Sequence, residues 1–130
     1  MPSFSHKSKQ KLLLADYRWQ DILNEAIQYV DFTILETYRD RERQEQMFEE
    51  GRSTLRWPHS KHNQNPSLAV DIAPYPIDWD DLTRFYRLMG LVQGLAWTKG
   101  IETRIGLDWD RDWDHKDNRW NDGPHIEIVE

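Results

Sequence analysis

The sequence predicts an α+β fold, a small, mainly antiparallel sheet with helices packed on one face. Helical and strand-like segments are mixed without a βαβ rhythm, which argues against a doubly wound parallel sheet. Two short segments, Leu68–Ala73 and His125–Val129, alternate with the period of a half-buried strand.

Each element follows from its own pattern. Trp19, Ile22, Leu23, Ala26, Ile27 and Val30 recur at helical spacing, so a helix is expected from about Asp16 to Tyr29, with an extra turn before it. Asp31–Thr37 is short and partly β-branched, as strands are. Asp40 can cap a second helix, Arg41–Glu50, which Gly51 stops. A polar loop, Arg52–Ser67, carries Pro58 and Pro66. In the strand Leu68–Ala73, Leu68, Val70 and Ile72 share one face while Ala69, Asp71 and Ala73 share the other. A third helix is expected over about Asp81–Lys99, with a stripe of Leu82, Phe85, Met89, Val92 and Ala96 and with Gly100 at its end. A short strand follows at Arg104–Leu107, then an Asp-rich loop, Asp108–Asp122. In the last strand Ile126 and Ile128 face one way, His125 and Glu127 the other.

Composition narrows the function. The chain has 130 residues and no internal repeat or linker, which predicts one domain over residues 1–130. The absence of cysteine excludes a disulfide scaffold, a thiol nucleophile and a Cys-ligated zinc finger. A net charge of −6 argues against nucleic-acid binding by bulk electrostatics. There is no apolar run of the roughly 18 residues that a membrane span needs. The basic N-terminal segment lacks an apolar stretch long enough for a signal peptide. The expectation is a cytoplasmic protein without membrane insertion. Trp19 and Trp97 lie in or near amphipathic helices and read as core, whereas Trp109, Trp113 and Trp120 lie in the Asp-rich loop ahead of His125 and read for the most part as core or rim.

Asp71 and His125 are metal-capable residues on the polar faces of two strands, and His62 lies nine residues before Asp71. Two imidazoles and one carboxylate suit zinc and leave a fourth position open. His and Asp are also ordinary solvated residues, and spacing alone leaves both readings open. His59 is a rival ligand or a loop histidine beside Pro58; His6 and His115 read as solvated. H-E-x-x-H, G-x-S-x-G and the phosphate-binding loop are absent. Asp108, Asp110, Asp112 and Asp114, followed by Asp117 and Asn118, form a solvated acidic loop or a site for a hard cation such as calcium. The EF-hand pattern fails there, with Trp113 and Arg119 at the positions of its Gly and Glu.

These residues also match a family. Ser60-Lys61-His62 with Ser67-Leu68-Ala69-Val70-Asp71 resembles the S-x-H…A-x-D signature of the zinc D-alanyl-D-alanine carboxypeptidase family. That family includes bacteriophage L-alanyl-D-glutamate endopeptidases. Asp122-Gly123-Pro124-His125-Ile126-Glu127 resembles its closing motif. Thr37-Tyr38-Arg39-Asp40, Glu42-Arg43-Gln44 and Glu50-Gly51-Arg52-Ser53 resemble its phage-type arginine motif, and Gly106-Leu107-Asp108-Trp109 its G-x-D-W element. The matches run in order over about Asp31–Glu130. The nine-residue interval from His62 to Asp71, with Asn65-Pro66, is longer than the family's commoner spacing, which carries a Gly; it reads as a longer loop of the phage subgroup.

The resemblance implies a zinc peptidase of the D-Ala-D-Ala carboxypeptidase/hedgehog type, with zinc on His62, Asp71 and His125. It implies Asp122 as general base, moving a proton from the attacking water to the leaving amine. Arg39, Ser60, Asp108, Trp109 and Glu127 are implied substrate-side residues; Arg39 polarises substrate oxygen, and Glu127 buttresses a ligand or substrate. The implied activity is an endolysin's, cutting the L-alanyl-D-glutamate bond of peptidoglycan as a monomer after holin-type release from the host bacterial cytoplasm. The rivals are a D-alanyl-D-alanine carboxypeptidase and a catalytically silent zinc-binding cell-wall module.

Overall fold

A computed structural model describes residues 2–109, 111 and 122–130. The described elements are α1 (His6–Leu12), α2 (Tyr17–Ala26), β1 (Phe32–Glu36), α3 (Arg41–Glu49), a 3-10 helix (Lys61–Asn63), β2 (Ala69–Pro74), α4 (Leu82–Thr98), β3 (Thr103–Ile105) and β4 (His125–Ile128). The strands form one sheet in the order β1-β2-β4-β3, with all three neighbouring pairs antiparallel. The expected fold class is present. The expectations for Trp113, Trp120, His115 and the acidic positions from Asp110 to Asn118 fall outside the described residues.

One face of the sheet is apolar. Val70 and Ile72 of β2 and Ile126 and Ile128 of β4 join Trp19, Ile22 and Leu23 of α2 and Phe85, Met89 and Val92 of α4 in a buried cluster. Burying each large aliphatic side chain contributes roughly 1.5–3 kcal/mol, so this cluster holds the sheet flat against its helices. The Trp19 ring is buried, and its indole N–H donates to the Leu68 carbonyl at 2.8 Å, tying α2 to the start of β2. Helix α3 contributes nothing to the cluster; its buried Met47 instead lines a cavity on the other side of the sheet.

Helix starts follow their caps. Asp16 accepts from Arg18 N, Asp40 from Arg43 N and Asp81 from Arg84 N, each satisfying an N–H that the first turn leaves open. Gly51 and Gly100 end α3 and α4 at φ of 74° and 73°, the left-handed region that glycine enters without strain. The structure corrects three expectations. The extra turn before α2 is a separate helix, α1, capped by Ser5. Leu82 is 48% exposed, because it opens the first turn of α4 beyond the core's edge. Trp97 is 66% exposed rather than core, because it follows the buried Ala96 and lies about 100° further round the helix.

Candidate metal centre

His62 reaches its place through the loop's local hydrogen bonding. Ser60 caps the 3-10 helix. Its hydroxyl accepts from His62 N at 3.2 Å, while the Asn63 side chain accepts from Ser60 N at 3.0 Å, a reciprocal capping box. The same Asn63 donates to the Arg39 carbonyl at 3.1 Å, and Arg39 N donates to the His62 carbonyl at 2.8 Å. The loop is thus stitched to the segment after β1, and His62 is only 1% exposed.

Strand pairing brings the other two residues together. Asp71 of β2 and His125 of β4 are directly opposed in the register, on the face away from the aliphatic cluster. Asp71 Oδ1 lies 3.1 Å from His62 Nε2 and 3.2 Å from His125 Nδ1. One donor atom from each of the three residues falls within 4.8 Å of the others.

The hydrogen bonds on the far side of each ring decide what the rings present. His62 Nδ1 lies 2.7 Å from the Thr37 carbonyl, which only accepts, so Nδ1 carries a hydrogen and, with the ring neutral, Nε2 presents a lone pair to the space it shares with Asp71. His125 Nε2 lies 2.8 Å from Glu127 Oε1, so Nε2–H donates to that carboxylate and, once Nδ1 gives up its proton, that atom turns a lone pair inward. Two nitrogen lone pairs and a carboxylate oxygen therefore converge. Such a set repels itself unless a proton or a metal cation sits among its atoms, and its N and O donors fit a borderline divalent ion.

The electrostatics carry the same imprint. In the metal-free site burial works to raise the Asp71 carboxyl, but the positive charge and hydrogen bonds that protonated imidazoles bring to it hold it far below the usual carboxylate range. Burial works against charge on His125, yet hydrogen bonds to Asp71 and Glu127 push its pKa up to about 9. Without a metal, a proton on His125 compensates the carboxylates on either side of it.

The cluster opens into a cavity of about 1030 Å³, which is large enough for a peptide. Asp122 lines it beside the three donors, and its backbone fixes its position. Asp122 N donates to the Gly106 carbonyl at 2.9 Å and its own carbonyl accepts from His125 N at 3.1 Å. Gly106 has to be glycine here, since a Cβ would stand 2.1 Å from the Asp122 carbonyl oxygen. Burial, then the Asp71 charge, pushes the Asp122 carboxyl above its ordinary value, against the pull of His125, His62 and Arg39.

The remaining expected residues divide. Arg39 is buried and lines the cavity; its Nη2 lies 3.9 Å from Asp71 Oδ2. Its Nε and Nη2 bond to Glu36 and its Nη1 donates to Gln44 at 2.9 Å. Trp109 lines the cavity with its ring 5.0 Å from that of His125. Ser60 lines the cavity too, while serving as the cap. Glu127 is buried against His125. Asp108 goes elsewhere. The chain turns after β3, with Asp108 N bonding to the Ile105 carbonyl, and Asp108 lines a separate cavity of about 340 Å³ with Gln93, Trp97 and Arg111. His59 is exposed at the main cavity's edge, outside the donor cluster.

Sequence reasoning missed Glu36 and Arg104, and it placed Gln44 in the arginine motif without giving it a role. Glu36 is paired across the sheet with Asp71, and Arg104 with Glu127, so polar residues run across all four strands on this face. The register predicts that row once the strand order is known, but the sequence does not reveal the order.

A buried two-histidine, one-carboxylate cluster under a peptide-sized cavity, on a small α+β frame, is the construction of an enzyme site able to take a metal ion. Comparison with known proteins narrows that class. Residues 2–129 match the family model of the phage L-alanyl-D-glutamate peptidases. The L-alanyl-D-glutamate peptidase of Escherichia phage T5 is 31% identical over 134 residues, covering 97% of either chain. The crystal structure of the Serratia marcescens L-Ala D-Glu endopeptidase ChiX shares the fold. Its TM-score is 0.77 at 22% identity, over 98% of this chain and 90% of that one. The chain belongs to the phage L-alanyl-D-glutamate peptidase family.

Proposed function

We propose that this chain is a zinc-dependent peptidoglycan hydrolase that cuts the L-alanyl-D-glutamate bond of cell-wall stem peptides. The observation that carries the reading is the convergence of His62 Nε2, Asp71 Oδ1 and His125 Nδ1 beneath a cavity that Asp122 also lines. His62, Asp71 and His125 hold the zinc. When bound, zinc polarises a carbonyl and acidifies water. Asp122 takes the proton from the attacking water and passes it to the departing amine. Its raised pKa suits a group that must give the proton back as well as take it. Arg39 steadies substrate oxygen with donors that Glu36 and Gln44 hold in place. Ser60 and Trp109 contact substrate along the cavity wall, and Glu127 fixes the His125 ring.

On this reading residues 1–130 form one catalytic domain, acting as a monomer on bacterial peptidoglycan after holin-type release from the host cytoplasm. The test is mass spectrometry of purified wall material after digestion. New C-terminal L-Ala and N-terminal D-Glu are expected, abolished by a chelator and restored by zinc. Free D-Ala as the main product would instead support a carboxypeptidase, and zinc uptake without any cleavage a silent binding module.

A further inference from the structure

Two buried N–H groups on the cavity wall have no hydrogen-bond partner among the described residues, Arg104 Nε and Trp109 Nε1. Leaving a buried donor unbonded is costly, so each such group calls for a physical reason, and on a cavity wall an acceptor brought by another molecule is one. The two donors flank the metal centre differently. Trp109 stacks at a tilt on the His125 ring. Arg104 stands on β3 directly opposite Glu127, one strand over and two residues along from His125. Two residues of strand span about 7 Å, which is also the length of two residues of extended peptide. The residue after a scissile carbonyl at the cluster covers about half of that distance with its backbone, and its side chain covers the rest, which brings its carboxyl group within reach of the Arg104 side chain.

Charge at this end of the cavity favours an anion. Arg104 Nη1 lies 3.9 Å from Glu127 Oε2, too long for a hydrogen bond, and Glu127 already accepts from His125. Lys61 lies in electrostatic reach of the same carboxylate, so two cations face one anion. Arg39, which steadies substrate oxygen at the cluster itself, is held there by Glu36 and Gln44.

We propose that Arg104, together with the Trp109 indole N–H, forms a carboxylate-recognising subsite that takes the free carboxyl group of the substrate's glutamyl residue. A glutamyl residue joined onward through one carboxyl keeps the other free, and that group distinguishes it from an alanyl residue. This rests on the hydrolase reading above. It predicts that the enzyme discriminates between stem peptides whose glutamyl carboxyl is free and those in which it is an amide.

The test uses the zinc-loaded full chain and two synthetic peptides that contain L-Ala-D-Glu, one with the free carboxylate and one with the carboxamide in its place. Wild type should favour the acid in kcat/KM by roughly 10- to 100-fold, the worth of a charge-assisted bond. Arg104→Gln should bring the acid down to the amide's rate, mainly through KM; Arg104→Lys should restore part of the preference; Trp109→Phe should lose part of it. Binding of both peptides to the Asp122→Asn chain, followed by calorimetry, reads the same preference without turnover. Cleavage of neither peptide would thus overturn the hydrolase reading while the subsite is still measured. Equal binding of acid and amide by the Asp122→Asn chain, or an unchanged preference in Arg104→Gln, would overturn the subsite.

Discussion

Asp71 and His125 are directly opposed residues of neighbouring antiparallel strands, and their side chains meet at 3.2 Å on the sheet face away from the core. Strand register, rather than loop closure, sets two of the three donor atoms. The third, on His62, is set by a capped 3-10 turn hydrogen-bonded to the Arg39 backbone.

Metal content follows from that geometry. The purified chain should carry close to one zinc per molecule by elemental analysis. His62→Ala, Asp71→Ala and His125→Ala should each weaken its retention in dialysis against a chelator. A triple variant that keeps its full complement would place the metal elsewhere.

Asp122→Asn separates chemistry from binding. The amide is nearly isosteric but a far weaker base. Activity should fall by about 10²–10⁴-fold with zinc content and thermal transition little changed. Near-normal turnover by that zinc-loaded variant would remove Asp122 from the mechanism.

Gly106→Ala probes the support of Asp122. The added methyl would lie 2.1 Å from the Asp122 carbonyl oxygen, so the Asp122 backbone must shift. A displacement on the order of 1 Å at a reacting group costs about 10²-fold in rate. Zinc should remain bound while kcat drops, and equal kcat in the variant would show that Asp122 tolerates the movement.

Glu127→Gln tests the buttress behind His125. Losing a carboxylate that orients a ligand imidazole typically weakens metal affinity by about 10–100-fold. Competition with a chromogenic chelator should show that loss, with a smaller effect on turnover at saturating zinc than Asp122→Asn has.

The metal-free chain should respond to pH in a defined direction. His125 titrates near 9 when folded, above its ordinary 6.5, so its contribution to stability is fully present below about pH 6.5 and is lost as pH rises through about 9. The Asp71 carboxyl is depressed, so its contribution is present above its ordinary 3.8 and is lost only in stronger acid. The melting temperature after chelation should therefore fall between pH 6.5 and 9.5. Zinc binding at pH 7.5 should release a proton, measurable by calorimetry in two buffers of different ionisation enthalpy.

Much of this was legible in the sequence because alternation has a physical cause. Val70 and Ile72 against Asp71, and Ile126 and Ile128 against His125 and Glu127, put one face of each strand on the core, and a one-residue slip in the observed register would turn that face to the other side. Helix α1 was less legible. Among its residues only Ser8 and Leu12 are buried, and Ser8 meets the sheet through its hydroxyl, which accepts from Ile34 N, so no apolar stripe marks it. The 3-10 turn holding His62 closes its capping box with Asn63, outside the usual Glu or Gln pattern. Arg104 drew no attention because its significance depends on which strand lies beside it.

The strand that completes the sheet is β4, the last described strand in chain order yet flanked by β2 and β3. During synthesis the earlier strands can pair only as β1 with β2, and β3 has no neighbour until residues 125–128 emerge. A nascent or prematurely terminated chain ending before His125 lacks one member of the His62, Asp71 and His125 cluster and the strand that joins the two parts of the sheet. The order of translation therefore delays assembly of the cluster until residues 125–128 have been made.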